Sequence, residues 1–186
     1  MLLRFTRALS AALTAPAVDL TDAVTLGMRA MPGDCDSNLH VNNARYLRLM
    51  DLGRLSLIGR LGLLAPALKN RWGAIVGAVE MEFVREINLF DRFDVVTRIV
   101  GWDKKWFYIE QRFEREGKLL AVGRVQALFR GRRGSVPTAE VIAEVGPWVS
   151  SPEMPRAFRQ MASRTPLRRS TRLSITEDDL PGLEAA

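Results

Sequence analysis

"GDCDSNLHVNNARYLRLMDLGR", Gly33–Arg54, passes without a break from a polar run to a helix-forming one. The polar part holds His40, the only histidine of the chain, among Asp36, Asn38, Asn42 and Asn43. Asn42 or Asn43 suits a helix cap, because a short side-chain oxygen accepts from backbone N–H groups that lack intrahelical partners. From Ala44 to about Leu64 the spacing of Tyr46, Leu49, Met50, Leu52, Leu57, Ile58 and Leu61 predicts a helix with a wide apolar surface. Arg45, Arg48, Asp51 and Arg54 leave only a narrow polar stripe at three-residue spacing, in which Asp51 can pair with an arginine neighbour. Such a helix has to be largely buried.

What surrounds this helix decides what buries it. Before it, "AVTLGMRAM" at Ala23–Met31 reads as a strand closed by Pro32 and Gly33. After Pro66 the period changes to two, and four strands are expected at about Ala74–Glu86, Arg92–Trp102, Trp106–Arg115 and Lys118–Gly131. The connections "WDKKW" and "EREGK" are short enough for hairpins, so neighbouring strands run antiparallel. A sheet of this size must cover an apolar face, and the central helix is the element available to do so. The fold class is therefore α+β.

The flanks read differently. Residues 1–20 predict an amphipathic leader helix, with Leu2, Phe5, Leu9 and Leu13 roughly on the face that packs. The central unit spans 21–135. Residues 136–186 form an extension with short helices near Thr138–Val145 and Pro155–Ala162, and a flexible basic arm from about 164. No stretch approaches the ~20 apolar residues that span a bilayer.

Composition excludes several classes. With 186 residues, 47% hydrophobic and 26% charged, the chain is sized for one domain with a real core. Its formal charge is +6, yet much of the excess lies in the tail, at Arg156, Arg159, Arg164, Arg168, Arg169 and Arg172, which disfavours nucleic acid as the partner. Cys35 stands alone, so there is no intramolecular disulfide and no cysteine-based zinc site, and a reducing, cytoplasmic setting is expected. Trp102, Trp106 and Tyr108 read as strand packing.

The polar run itself admits two readings. In an extended segment from Asp36 to His40, the side chains of Asp36, Asn38 and His40 alternate onto one side. The following helix start offers the N–H groups of Asn43 and Ala44 to a developing negative charge. A carboxylate, an imidazole and an oxyanion site so placed suit hydrolysis of an activated acyl group, with Asp36 as base or nucleophile. Alternatively, Asp36 and the asparagines build an Asx turn and a cap, and His40 is a packing residue.

Gly33–Arg54 closely resembles the signature of hotdog-fold acyl thioesterases, in which such a loop leads into a long helix wrapped by a curved antiparallel sheet. At "GDCD" the run is similar to 4-hydroxybenzoyl-CoA thioesterase-like proteins; the resemblance makes Asp36 the catalytic carboxylate and Asn43 the helix-end N–H that polarises the thioester carbonyl. At "DSNLHVNN" it resembles plant acyl-ACP thioesterases, which implies catalytic places for Asp36, Asn38 and His40, and "EFVREI" resembles their next strand, adding Glu86. The run "HVNNARY" is similar to animal thioesterase superfamily members. The resemblance covers about Val24–Arg130 and implies metal-free, cofactor-independent hydrolysis of an acyl-CoA or acyl carrier protein thioester. It also implies a homodimer or homotetramer with an acyl tunnel between subunits, which Met50, Leu57 and Ile58 would line if they are not simply core. The basic tail would meet coenzyme A phosphates or an acidic carrier protein, or remain a solvated arm. Against this stand a non-catalytic acyl-CoA or lipid-binding protein on the same fold, and a dehydratase, for which no matching motif is present.

Overall fold

The computed structural model describes residues 2–147 and 149–164. Leu2–Thr14 forms α1 and Val24–Arg29 forms β1; a 3-10 turn at Pro32–Asp34 and the polar run lead into α2, Asn43–Arg60. A short α3, Leu64–Asn70, precedes β2 (Gly73–Phe83), β3 (Arg92–Trp102), β4 (Phe107–Arg115) and β5 (Lys118–Gly131). The two-residue β6 (Gly134–Ser135), α4 (Thr138–Ala143) and α5 (Arg156–Arg164) follow.

The strands form one sheet in the order β1-β3-β4-β5-β2, with β6 on β5, and every pairing is antiparallel. Local chemistry sets the hairpins. Asp103 Oδ1 accepts from the Lys105 and Trp106 N–H groups at 2.7 and 2.8 Å, which closes the β3–β4 turn. Between β4 and β5, Glu116 and Gly117 both take positive φ, +51° and +74°, the two-residue turn that matches strand twist.

The curved sheet wraps α2, which buries Tyr46, Leu49, Met50, Leu52, Gly53, Ser56 and Leu57. Gly123 permits the close approach, since a Cβ there would lie 2.4 Å from the Met50 methyl. Tyr46 meets Phe83 and Phe113 edge-on at centroid distances of 5.0 and 4.8 Å, so the start of α2 is locked against the ends of β2 and β4. One polar network crosses this core: Gln111 Nε2 donates to the Met50 carbonyl (2.9 Å) and Thr97 Oγ1 (3.0 Å), while Arg54 donates to Gln111 Oε1 (2.6 Å) and pairs with Asp51. The expected Asp51–arginine pair thus forms, and Trp102 and Tyr108 are buried packing residues.

Four expectations are corrected. On α1 the packed residues are Ala8 and Ala12, whereas Phe5 and Leu13 are 45% and 67% exposed. The reason is Gly59 of α2, where a Cβ would stand 2.2 Å from that of Ala12; helices this close exclude large side chains from the seam. The central helix ends at Arg60 rather than Leu64, stopped by Gly62 at φ +75°, and the chain restarts as α3. Pro66 lies in the first turn of α3, where its missing N–H costs nothing. Finally, β2 stops at Phe83 rather than Glu86, because the Val84 and Arg85 N–H groups both turn to the Leu120 carbonyl and the chain leaves the sheet.

The two C-terminal helices are integral to the packing. Val141 and Ile142 of α4 join the main core, and Phe158 and Met161 of α5 cover Val100 and Tyr108 in a second cluster. The expected flexible arm beyond 164 lies outside the described residues.

Candidate active site

Residues 33–43 do not run extended, as the alternation reading assumed. They form a narrow hairpin in which the Asp36 N–H donates to the His40 carbonyl at 2.9 Å, Cys35 bridges Val41, and the Asn42 N–H donates to the Asp34 carbonyl at 2.8 Å. The tip closes through Leu39 at φ +59° and its N–H bond to the Asp36 carbonyl (3.1 Å). Asp36, Asn38 and His40 therefore share one turn, and strand alternation does not govern which way their side chains face.

The two aspartates of "GDCD" have opposite surroundings. Asp34 is nearly buried: Arg4 from α1 donates to Oδ1 at 2.9 Å and to Oδ2 at 2.6 Å, and the Met31 N–H donates to Oδ2 at 2.9 Å. Asp36 is exposed, and among the described residues its side chain makes one hydrogen bond, an Asx turn in which Oδ1 accepts from the Asn38 N–H at 2.9 Å. Asp34 holds the turn together, and Asp36 presents a carboxylate at its tip.

At the base of the hairpin Asn42 is the N-cap of α2, its Oδ1 accepting from the Ala44 N–H at 3.0 Å. This removes Ala44 from the expected pair of donors. The Arg45 N–H returns to the Asn42 carbonyl (2.8 Å), which leaves Asn43, the first helical residue, with an N–H that has no partner among the described residues. Asn43 and Asn38 are exposed and His40 is half-buried.

A second limb supports the hairpin from below. The Val41 N–H donates to the Ile87 carbonyl (2.8 Å), the Leu89 N–H to the Leu39 carbonyl (2.9 Å), and His40 bridges Asn88. Residues 88–91 are themselves pinned by Asp91, whose Oδ2 accepts from the Asn88 N–H (2.9 Å) and pairs with Arg115. Burial alone would raise this carboxyl, but the Asn88 bonds and Arg115 outweigh it and hold it below its ordinary range. The pairing brings exposed Glu86 beside the start of α2: burial, then the Glu86 charge, pushes the Tyr46 hydroxyl up to about 12. Burial, then the neighbouring Asp34 and Asp36 charges, push the Cys35 thiol above its ordinary value.

An apolar cavity of about 230 Å³ lies further along α2, lined among others by Leu55, Ile58 and Leu61 of the helix region, Ile75 of β2 and Phe129 of β5. Leu57 lines it as well, whereas Met50 is core. Sequence reading missed a second cleft of about 630 Å³ between α1, α2 and β1, lined by Arg4, Arg7, Arg29, Arg45 and Arg48. Its arginines come from three separate elements, and no linear spacing signals their meeting. Among the described residues no three or more His, Cys, Asp or Glu side chains group in a way that would hold a metal ion, and no helix is long and apolar enough to cross a membrane.

An antiparallel sheet wrapped around one long helix, with a capped helix start behind a polar hairpin, defines a hotdog-fold protein. Solved structures agree: a probable thioesterase from Bartonella henselae matches with TM-score 0.56 at 23% identity, over 62% of this chain and 97% of that one. The DHNA-CoA thioesterase from Staphylococcus aureus matches with TM-score 0.59 at 15% identity, over 66% and 90% of the two chains. The family model of the thioesterase-like superfamily matches residues 31–160, and the chain belongs to that superfamily. Among relatives, Protein THEM6 of Danio rerio is 42% identical over 85 residues, 46% of this chain and 42% of that one. Protein THEM6 of Xenopus laevis is 32% identical over 128 residues, 67% and 60% of the two. Thioesterase lcsJ of Purpureocillium lilacinum is 32% identical over 103 residues, 44% and 33%. The chain spans about half the length of the first curated relatives it matches.

Proposed function

We propose that this protein is an acyl thioesterase, hydrolysing an acyl-CoA or acyl carrier protein thioester to a free acid and a thiol without metal or cofactor. The observation that carries this reading is the division of labour in "GDCD": Asp34 is used up by the fold, whereas Asp36 stands exposed at the tip of a hairpin whose base ends in the unpartnered Asn43 N–H. In the hairpin Asp36 pairs with His40, and Asn43 follows His40 by three residues, so the carboxylate and the helix-end N–H stand at the two ends of one short limb.

In the general-base form, Asp36 takes a proton from water as the oxygen adds to the carbonyl carbon. The Asn43 N–H, at the positive end of α2, donates to the developing oxyanion. Collapse breaks the carbon–sulfur bond, and the thiolate recovers the proton from Asp36. In the nucleophilic form the Asp36 carboxylate attacks the carbonyl carbon and the carbon–sulfur bond breaks, expelling the thiolate; water then hydrolyses the mixed anhydride to the free acid, which restores the Asp36 carboxylate and supplies the proton that the thiolate takes up. His40, Asn38 and Glu86 position water and substrate around this pair.

The oligomer completes the site. Along one chain the lining of the apolar cavity begins at Asp51, about 12 Å from Asn43 at 1.5 Å per helical residue. β2 runs antiparallel to α2: Phe83 meets Tyr46 at the helix start, and Ile75 lines the cavity near the helix end. β2 is also a sheet edge whose Ile75, Val76 and Phe83, with Val84 just past its end, are all more than 40% exposed. Two-fold pairing of this edge would hide that surface and bring one protomer's hairpin toward its partner's cavity. The arrangement suits a homodimer, or a homotetramer built from it.

The test is thiol release from short, medium, long and aromatic acyl-CoA thioesters and an acyl carrier protein thioester, with Asp36→Ala alongside. A loss of roughly 10²–10⁴-fold, the usual worth of such a group, is expected in the variant. Undiminished turnover would remove Asp36 from the mechanism. Saturable binding with no thiol released from any substrate would favour the non-catalytic binder, a reading to which the Asx bond on Asp36 Oδ1 lends its one support.

A further inference from the structure

The arginine cleft has no part in the hydrolytic step. Arg4 and Arg7 stand three apart on α1, Arg45 and Arg48 three apart on α2, and Arg29 ends β1; all five line one concavity of about 630 Å³ with Asp34 as its sole carboxylate. Arg4 is neutralised by Asp34, and Arg29 donates Nε to the Phe90 carbonyl (2.9 Å) and lies over the Phe90 ring at 5.7 Å. The side chains of Arg7, Arg45 and Arg48 make no hydrogen bond or ion pair among the described residues. Gathering like charges on facing helices is unfavourable by itself, and an anion with several phosphate oxygens reverses the sign, because guanidinium groups bind such oxygens in charge-assisted pairs. Pro32, Gly33 and Asp34 form one wall, so the cleft opens beside the hairpin that carries Asp36.

We propose that this cleft seats the phosphates of coenzyme A, holding the nucleotide end of the substrate while the pantetheine arm reaches the hairpin. The proposal rests on the thioesterase reading above and specifies its carrier. A concave site with several free guanidinium groups suits the diphosphate and 3′-phosphate of a nucleotide. The phosphopantetheine of a carrier protein would bring a single phosphodiester on a broad protein surface.

Calorimetry with adenosine 3′,5′-bisphosphate, the thiol-free nucleotide end of coenzyme A, tests this on the intact protein and on Arg7→Ala and Arg45→Ala/Arg48→Ala variants. These side chains support no part of the fold, and unchanged melting temperatures will confirm that. Binding should weaken at least tenfold in the double variant, recover in part in Arg45→Lys/Arg48→Lys, and decline with added salt. With acyl-CoA the double variant should raise KM at nearly unchanged kcat, and with the phosphate-free acyl-pantetheine neither constant should move. Equal nucleotide affinity in parent and variants, beside intact hydrolysis, would overturn the cleft and leave the thioesterase reading standing. Arginine-dependent nucleotide binding without hydrolysis of any thioester would do the reverse. Sedimentation with phosphatidylserine vesicles separates the other source of phosphate: arginine-dependent vesicle binding without nucleotide binding would assign the cleft to a lipid headgroup and overturn the proposal.

Discussion

At the scale of single residues, the site depends on which donors and acceptors the fold leaves unused. Asn43→Pro isolates the oxyanion donor, because proline deletes the N–H yet is tolerated at the first helical position, and Asn42 ahead of it is already extended at φ −62°, ψ 137°. The variant should keep its helix by circular dichroism while kcat falls roughly 10²–10³-fold, the scale of a lost oxyanion donor. Asp34→Asn should behave in the opposite way, losing about 2 kcal/mol in urea unfolding as Arg4 loses its charged partner. Tyr46 supplies a pH dependence. Its proton is held more tightly in the folded chain, so its contribution to stability is complete below pH 10 and disappears as pH rises toward about 12, which alkaline unfolding will show and Tyr46→Phe will remove. The Asn42 cap was legible in the sequence because it is a local matter of spacing. The hairpin was not, since its tip needs a left-handed Leu39, a conformation that leucine does not advertise.

At the scale of elements, the central helix and the four long strands follow from periodicity, and the errors sit where tertiary contact overrides it. On α1 the large apolar residues seemed the natural inner face, but the close seam with Gly59 admits only alanines. Gly59→Val should therefore force α1 and α2 apart, costing about 1–3 kcal/mol as an overpacked contact. Because Arg4 travels with α1, kcat should fall along with the melting temperature, whereas the exposed-face change Leu13→Gln should alter neither.

At the scale of the whole molecule, the exposed edge of β2 is the feature that a single chain leaves unresolved. Ile75→Lys or Val76→Lys places a charge where the proposed two-fold pairing needs an apolar strand. Light scattering should show the smaller species, and turnover should fall although neither residue approaches Asp36 of its own chain; a monomer with full activity would show that one chain builds the whole site. The superfamily and the wrapped sheet could be read from one run of residues because that run is continuous, whereas the arginine cleft and the apolar cavity are assembled from segments distant in sequence. One practical consequence concerns protein engineering. The first twenty residues look like a removable leader, and trimming them would be a routine choice in designing an expression plasmid. Yet Arg4 is the counter-ion of the aspartate that braces the turn carrying Asp36, so on the proposed mechanism a shortened version should yield material that still folds its sheet and assays as inert.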